Sequence, residues 1–266
     1  MVHKSNRGYH DRVAGKYDQI YDSLYWRFYR EISWRHLQRF LPAARPLPAA
    51  DLGCGTGWFG KRLLKAGAAV TFVDPSIKML EVAREAVAAE GARGLETRFV
   101  QAGLEDLHEL ADGSLAFATG QGDPLSFCED PRRALQELHR VLCPGASLVL
   151  SVDSRIGGVR SLQVADSPQE MLELLRSGRT TWRGHRQDER FGMKMFLPDE
   201  LDNLLRKTGF EPRSWIAKTC LVQRANEPWL EEPQQLRTLI EAEERVHADK
   251  EWFGLAGHLQ VAATRT

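Results

Sequence analysis

The segment "DLGCGTGWFG", residues 51 to 60, concentrates residue types suited to holding a nucleotide: an acid and four glycines. It follows the short apolar run "AADLG" (49 to 53) and leads into "FGKRLLKAG", whose apolar residues recur at helical spacing. A turn placed between a strand and a helix offers a ligand free backbone N–H groups and the positive end of the helix. Two patterns fit the same letters. Gly55, Gly57 and Gly60 satisfy the G-x-G-x-x-G of dinucleotide-binding enzymes, with Asp74 about 20 residues on, where a ribose-binding acid belongs. Gly53, Gly55 and Gly57 instead form G-x-G-x-G behind Asp51.

A second concentration lies at the start of the chain. All five tyrosines fall between positions 9 and 29, and Tyr17, Tyr21, Tyr25 and Tyr29 are four apart, so one continuous helix would stack them along one face. A tyrosine ring is rigid, buries a large area at low entropic cost and keeps a hydroxyl for a hydrogen bond, while its face attracts a cation. Ile20, Leu24, Phe28 and Ile32 make a second four-spaced row that would anchor the same helix on a core. Further on, "RSGRTTWRGHRQDERFGMKMF" sets Arg176, Arg179, Arg183, Arg186 and Arg190 beside Trp182. That mixture suits a planar or anionic ligand, and equally a solvated charged loop.

These residues need a scaffold, and the apolar patterning supplies one. Strand-like runs "AADLG", "AVTFVD", "TRFVQAG", "SLAFATG" and "SLVLSVD" alternate with helix-like runs such as "SIKMLEVAREAVAAEG" and "DPRRALQELHRVL", the order of a parallel sheet covered by helices. From about residue 155 to 195 the pattern loosens into what reads as an insertion over the strand ends, before helix "LPDELDNLLRKTG". The tail adds a strand "FEPRSWIAKT", a polar helix over 233 to 251 and a strand "HLQVAATR", and the two strands are expected to pair antiparallel at one sheet edge.

The totals narrow the function classes. Thirty-six basic residues balance thirty-six acidic ones in a chain of 266, so no field of one sign is available for nucleic acid. No run approaches the ~20 apolar residues of a membrane span, and the polar start "MVHKSNRGYHDR" lacks a secretory apolar stretch, so a cytoplasmic protein is expected. Cys54, Cys128, Cys143 and Cys220 are scattered, without metal-ligand spacing, and are expected to be reduced thiols; no metal site is expected.

Taken together the stretch resembles the class I S-adenosylmethionine-dependent methyltransferases. Asp51 to Gly57 is similar to their first motif, "VDPSIKML" (73 to 80) to the second strand end and "HRVLCPGASLVLS" (139 to 151) to the approach to the fifth strand. "FEPRSW" and "GHLQVAATR" resemble the sixth and seventh strands, so the likeness covers residues 45 to 155 and, more loosely, the rest. It implies an α/β, doubly wound, Rossmann-like domain with a seven-stranded, mostly parallel sheet and an antiparallel last strand. Residues 1–45 would be a helical lid, 46–154 the cofactor-binding core, 155–195 a cap insertion and 196–266 the remainder of the core.

The resemblance also implies S-adenosylmethionine as cofactor and a role for particular residues. Backbone at Gly53, Cys54, Gly55 and Gly57 would pass beneath the methionine portion, Asp51 would lie near its ammonium group, and Asp74 would accept both ribose hydroxyls. Pro75 and Met79 would flank the adenine. Gly103 stands where the family often has an acid facing the adenine amino group, so Leu104 backbone and Glu105 take over, or packing alone holds the base. Gln121 would line the sulfonium side, and "KYDQIYD" looks like the start of a lid in which Tyr17 and Tyr21 touch the cofactor. An acceptor that must lose a proton would need a base, for which His10 and His185 are the candidates. The acceptor is expected to be a small molecule, with O-, N- and C-methylation, including quinone-ring carbon, all open. A nicotinamide-dependent oxidoreductase and a non-catalytic S-adenosylmethionine sensor are the alternatives.

Overall fold

A computed structural model describes residues 2–44, 46–90, 96–183 and 189–266. Five parallel strands form the first part of the sheet: β1 (Leu47–Leu52), β2 (Ala68–Val73), β3 (Thr97–Val100), β4 (Leu115–Gly120) and β5 (Leu142–Asp153). Helices α4 (Trp58–Lys65), α5 (Ile77–Ala89) and α6 (Pro131–Val141) connect them, preceded at the N-terminus by α1 (Val2–Val13), α2 (Tyr17–Ile20) and α3 (Leu24–Leu37). After β5 come α7 (Arg155–Val164), α8 (Pro168–Ser177), the hairpin β6 (Arg179–Arg183) and β7 (Arg190–Lys194), α9 (Pro198–Lys207), β8 (Phe210–Lys218), α10 (Pro233–Val246) and β9 (His258–Arg265).

The main sheet has the order β3-β2-β1-β4-β5-β9-β8, and β9 runs antiparallel to both neighbours. The doubly wound fold and the reversed last strand are therefore as expected. Both faces of the sheet are covered, and strand residues alternate between two cores. Ala50 and Leu52, with Leu148, Leu150 and Val152, join the core under α6 and α9, while Leu47 and Ala49, with Val149, join the core under α4 and α5.

Two of the connecting helices begin at side-chain caps. Ser76 Oγ accepts from Met79 N at 3.1 Å to start α5, and Asp130 caps α6. Gly60 serves packing: a Cβ there would lie 2.1 Å from the Phe72 ring, so glycine lets α4 settle directly on β2.

Three elements differ from expectation. The tyrosine stripe is broken, because the chain turns at Tyr21 to Ser23 and α3 starts afresh at Leu24. Its first free N–H groups are met from far along the chain, where Glu227 Oε1 accepts from Tyr25 N at 3.0 Å. The loosened segment after β5 is ordered as two helices and a two-stranded hairpin. The polar helix of the tail stops at Val246, and Asp249 caps a separate 3-10 turn over Lys250–Leu255.

Candidate functional site

The carboxyl edge of the sheet gathers the ends of β1, β2, β4 and β5, and the antiparallel β9 begins at the same edge. Ligands of open α/β sheets bind in the crevice outside such strand ends. The crevice here has two contiguous lobes, one of about 740 Å³ and one of about 990 Å³ with its open mouth included. Tyr17, Gly53, Gly55, Gln121 and His10 line both.

Asp74, Pro75, Gly103, Leu104 and Glu105 line the smaller lobe. Gly53, Gly55 and Gly57 hold φ of +62°, +52° and +82°, the left-handed region that suits a residue without a Cβ. Asp74 sits at the end of β2 and braces that turn: its Oδ2 accepts from Gly55 N at 2.9 Å and its Oδ1 from Ser76 N at 2.8 Å. Each oxygen keeps a further lone pair, so two hydroxyls of a ligand can still be bound. Burial raises the Asp74 carboxyl above the ordinary value. A Cβ on Gly103 would meet open space, so sterics leave room there for a ligand edge. Gln121, at the junction of the lobes, donates to Thr119 Oγ1 at 3.1 Å, and among the described residues its buried Oε1 has no hydrogen-bond partner.

Two expected contacts are corrected. Asp51 is 2% exposed and lines neither lobe; its Oδ2 accepts from Gly60 N at 2.7 Å, pinning the first turn of α4 from behind. Burial pushes this carboxyl up to about 7. Met79 is fully buried among Tyr9, Val13, Ala14 and Phe191, so it packs α5 against α1 instead of flanking a base.

The larger lobe is walled by rings. Trp182 stacks on Phe191 at 4.6 Å across the β6–β7 hairpin, and Tyr9 of α1 lies 4.7 Å from Trp182. Tyr17 and Tyr21 are 4.6 Å apart, and Trp26 contacts Tyr21, Tyr25 and Tyr29 edge-on. Tyr17 and Tyr21 line the cleft, and desolvation raises the pKa of both phenols. Tyr25 lines neither lobe and pairs with Thr219 Oγ1 at 3.0 Å. Cys54 and Arg30 also line the larger lobe, and burial lowers the Arg30 guanidinium, which donates to Tyr21 O.

The N-terminal segment covers both lobes and is tied at three points. Asp11 Oδ1 accepts from Ser76 Oγ and Asp18 Oδ1 from Thr56 Oγ1, each at 2.6 Å, while Arg12 pairs with Glu189 at 3.1 Å. His10, on α1, lines both lobes, and its Nδ1 lies 3.0 Å from Asn6 O. His185 and Arg186 lie outside the described residues. The remaining arginines of the insertion do not line the cleft: Arg183 pairs with Glu170, and Arg179 donates to Glu129 O at 2.8 Å.

Of the polar floor of the larger lobe, only Tyr29 stood out in the sequence, as a member of the tyrosine row. His258, Asp123, Asp153 and Tyr29 line it, with Lys218 fully buried behind. These five residues come from four strand or loop segments and α3, and no local spacing connects them.

The sheet order, the glycine turn and the cleft at the strand ends define a class I methyltransferase fold. Residues 49–145 match the family described as "Methyltransferase domain". The chain is 32% identical over 140 residues to a malonyl-[acyl-carrier protein] O-methyltransferase of Pectobacterium atrosepticum, covering 53% of this chain and 49% of that one. It is 32% identical over 148 residues to a 2-phytyl-1,4-naphtoquinone methyltransferase of Nostoc sp., covering 54% and 62%. The match thus spans about half the length of the curated relatives. A solved S-adenosylmethionine dependent methyltransferase from Mesorhizobium loti shares the fold, with a TM-score of 0.58, 21% identity and coverage of 88% of this chain and 98% of that one.

Proposed function

We propose that the chain is an S-adenosylmethionine-dependent methyltransferase acting on a small, planar acceptor. The observation that carries this reading is the two-lobed cleft: a glycine turn and Asp74 on one side, an aromatic chamber on the other, joined at Tyr17 and Gln121. The fit with the cofactor rests on spare acceptors. Asp74 would take the ribose hydroxyls, the backbone of Gly53 to Gly57 would carry the methionine portion, and Gln121 Oε1, orphaned and buried, would accept from its ammonium group. Arg30, which lines the larger lobe, would meet its carboxylate. Pro75 and Leu104 would pack on the base.

When bound, the cofactor supplies an electrophilic methyl group. The chain's contribution is to align the acceptor and exclude water, an effect worth roughly 7–11 kcal/mol of barrier in well-oriented reactions. The lid ties and the ring walls serve both ends. Aromatic faces around the junction also favour a sulfonium cation. The walls suit a flat acceptor. The free thiols Cys54, Cys128, Cys143 and Cys220 fit a reducing compartment, so the cytoplasm is the proposed location; among the described residues no helix is long and apolar enough to cross a membrane.

Calorimetry with S-adenosylhomocysteine and with NADH tests the reading. Binding of S-adenosylhomocysteine alone is expected, and binding of NADH alone would replace the methyltransferase with an oxidoreductase. A protein that binds the former but consumes no methyl donor with any small planar acceptor would be a sensor.

A further inference from the structure

The floor of the aromatic lobe is organised around one imidazole. His258 opens β9, directly opposite Asp153 of β5 and Lys218 of β8, so three neighbouring strand ends place an acid, an imidazole and an ammonium in one row. Its Nδ1 lies 2.7 Å from Asp123 Oδ2 and 3.7 Å from Asp153 Oδ1. Since a carboxylate only accepts, Nδ1 carries the proton in that bond. Among the described residues Nε2 has no protein partner, and the ring lines the lobe between the edges of Tyr29, at 5.0 Å, and Trp26, at 6.2 Å.

The orienting carboxylate is itself held in place. Asp123 adopts φ +67°, an uncommon conformation for a residue with a side chain, and its N–H donates to Ser151 Oγ at 3.0 Å. Lys218 Nζ donates to Tyr29 Oη at 2.6 Å, and Tyr29 Oη donates to Asp123 Oδ2 at 3.4 Å, so a cation already stands behind the acid. An acid that orients one ring nitrogen of an imidazole lining a cleft, with the other nitrogen left without a protein partner among the described residues, is the arrangement of a general base and its positioning partner.

We propose that His258, oriented by Asp123, takes the proton from a phenolic hydroxyl, and that the acceptors are planar phenols methylated on oxygen. This rests on the methyltransferase reading above. A carboxylate acceptor is already ionised and an amine can lose its proton after transfer, so neither needs such a base. In the step, the phenol O–H proton passes to Nε2 and the oxygen bonds the methyl carbon. The S–CH3 bond breaks with its electron pair left on sulfur, and the proton then leaves His258 for solvent.

Facing charges set the pH response. Burial pushes Asp123 up, but the His258 and Lys218 cations outweigh it and hold the carboxyl at about 2. Burial lowers His258, and Asp123 more than reverses this, leaving the imidazole above its ordinary value. Burial and the Asp123 charge push Asp153 to about 7, and burial lowers Lys218 to about 8. Transfer to a weakly acidic phenol therefore rises with pH as His258 becomes neutral.

The test uses His258→Asn, whose amide keeps a donor toward Asp123 and lacks the second nitrogen. Calorimetry with S-adenosylhomocysteine comes first, and equal binding by wild type and variant is expected. With S-adenosylhomocysteine present, 4-nitrophenol bound to wild type should ionise, by its phenolate absorbance, at least one pH unit below its free value, and the variant should abolish that shift. Methyl transfer to 4-methylphenol and 1-naphthol should fall about 100-fold in the variant, while transfer to thiophenol, ionised at pH 8 without help, changes less than about threefold. Equal rates on 4-methylphenol, an unshifted 4-nitrophenol, or a wild type that binds S-adenosylhomocysteine yet methylates none of these phenols would overturn the proposal and leave the methyltransferase reading standing. Failure of wild type to bind S-adenosylhomocysteine would overturn that reading itself. Should the variant not fold, the 4-nitrophenol shift and phenol turnover of wild type decide alone.

Discussion

Around Asp74 the cleft is lined by the glycines Gly53, Gly55, Gly103 and Gly122 together with short loop segments, whereas around His258 it is lined by rings and titratable side chains. The first lobe is shaped by a turn whose glycines hold positive φ and whose one bracing carboxylate ties two backbone N–H groups. The second is assembled from α1, α3, the β6–β7 hairpin, the loop after β4 and the start of β9. Geometry fixed by backbone hydrogen bonds leaves few ways to change the ligand. A chamber of side chains can be re-cut by single substitutions, so acceptor choice can vary while the cofactor site stays the same.

The sharpest way to break this contrast is Asp74→Ala. It removes the ligand's acceptor and also frees Gly55 N and Ser76 N, so affinity for S-adenosylhomocysteine should drop by about 100-fold or more, given roughly 1.5–3 kcal/mol for each hydrogen bond to a charged group. Calorimetry measures it, and unchanged affinity would mean that the ribose sits elsewhere. Trp182→Ala should act on the other lobe alone. Loss of its stack on Phe191 and its tilted contact with Tyr9 should raise acceptor KM by about tenfold, from about 1.5 kcal/mol of aromatic contact, while S-adenosylhomocysteine affinity stays within twofold. A parallel loss of both would merge the two lobes into one unit.

Asp51 offers a subtler test, because it supports the first lobe from behind. Its carboxyl, raised to about 7 in the fold, binds a proton that the unfolded chain releases near its ordinary value of 3.8. The native state then holds more protons over this window, so the group's contribution to stability falls as pH rises from about 4 to 7. Asp51→Asn keeps an acceptor for Gly60 N and removes this titration. The variant's melting temperature relative to wild type should therefore be higher at pH 8 than at pH 5, by a few degrees, about 1 kcal/mol of difference corresponding to roughly 2–4 °C. The smallest effect is expected for Tyr17→Phe. The ring stays and only the hydroxyl goes, so turnover and S-adenosylhomocysteine affinity should each change by less than about fivefold, the cost of one hydrogen bond; a larger loss would place the phenol in direct contact with the reacting groups.

The same contrast explains what could be read from the letters alone. The glycine turn, Asp74, the Ser76 cap and the strand order are local patterns, and hydrophobic alternation reports burial on both faces of the sheet. Asp51 belongs to the same motif, yet the sequence cannot say that its oxygens point back to Gly60 and away from the ligand. The histidines fared differently. His10 was visible through its neighbours in the lid, whereas His258 follows a glycine at the start of an ordinary strand. Asp153, Asp123 and Tyr29 are 105, 135 and 229 positions away, and only strand register, the loop after β4 and α3 bring them to it. One signal was available: Asp123 in "GQGDPLSF", an acid at a strand's carboxyl end, where such folds bind ligands.

The pairing of β9 with β5 and β8 carries a consequence for how this chain could be edited. Successive residues of a strand point to opposite faces, so sliding β9 by one position would set Leu259 opposite Asp153 and turn the imidazole out of line with Asp123. The Gly254 to Gly257 approach to β9 is thus a poor place for insertions or deletions, even though it lies well away in sequence from the glycine turn. Length changes there would be felt as a shift of frame in the chamber, much as a dropped stitch displaces every later row.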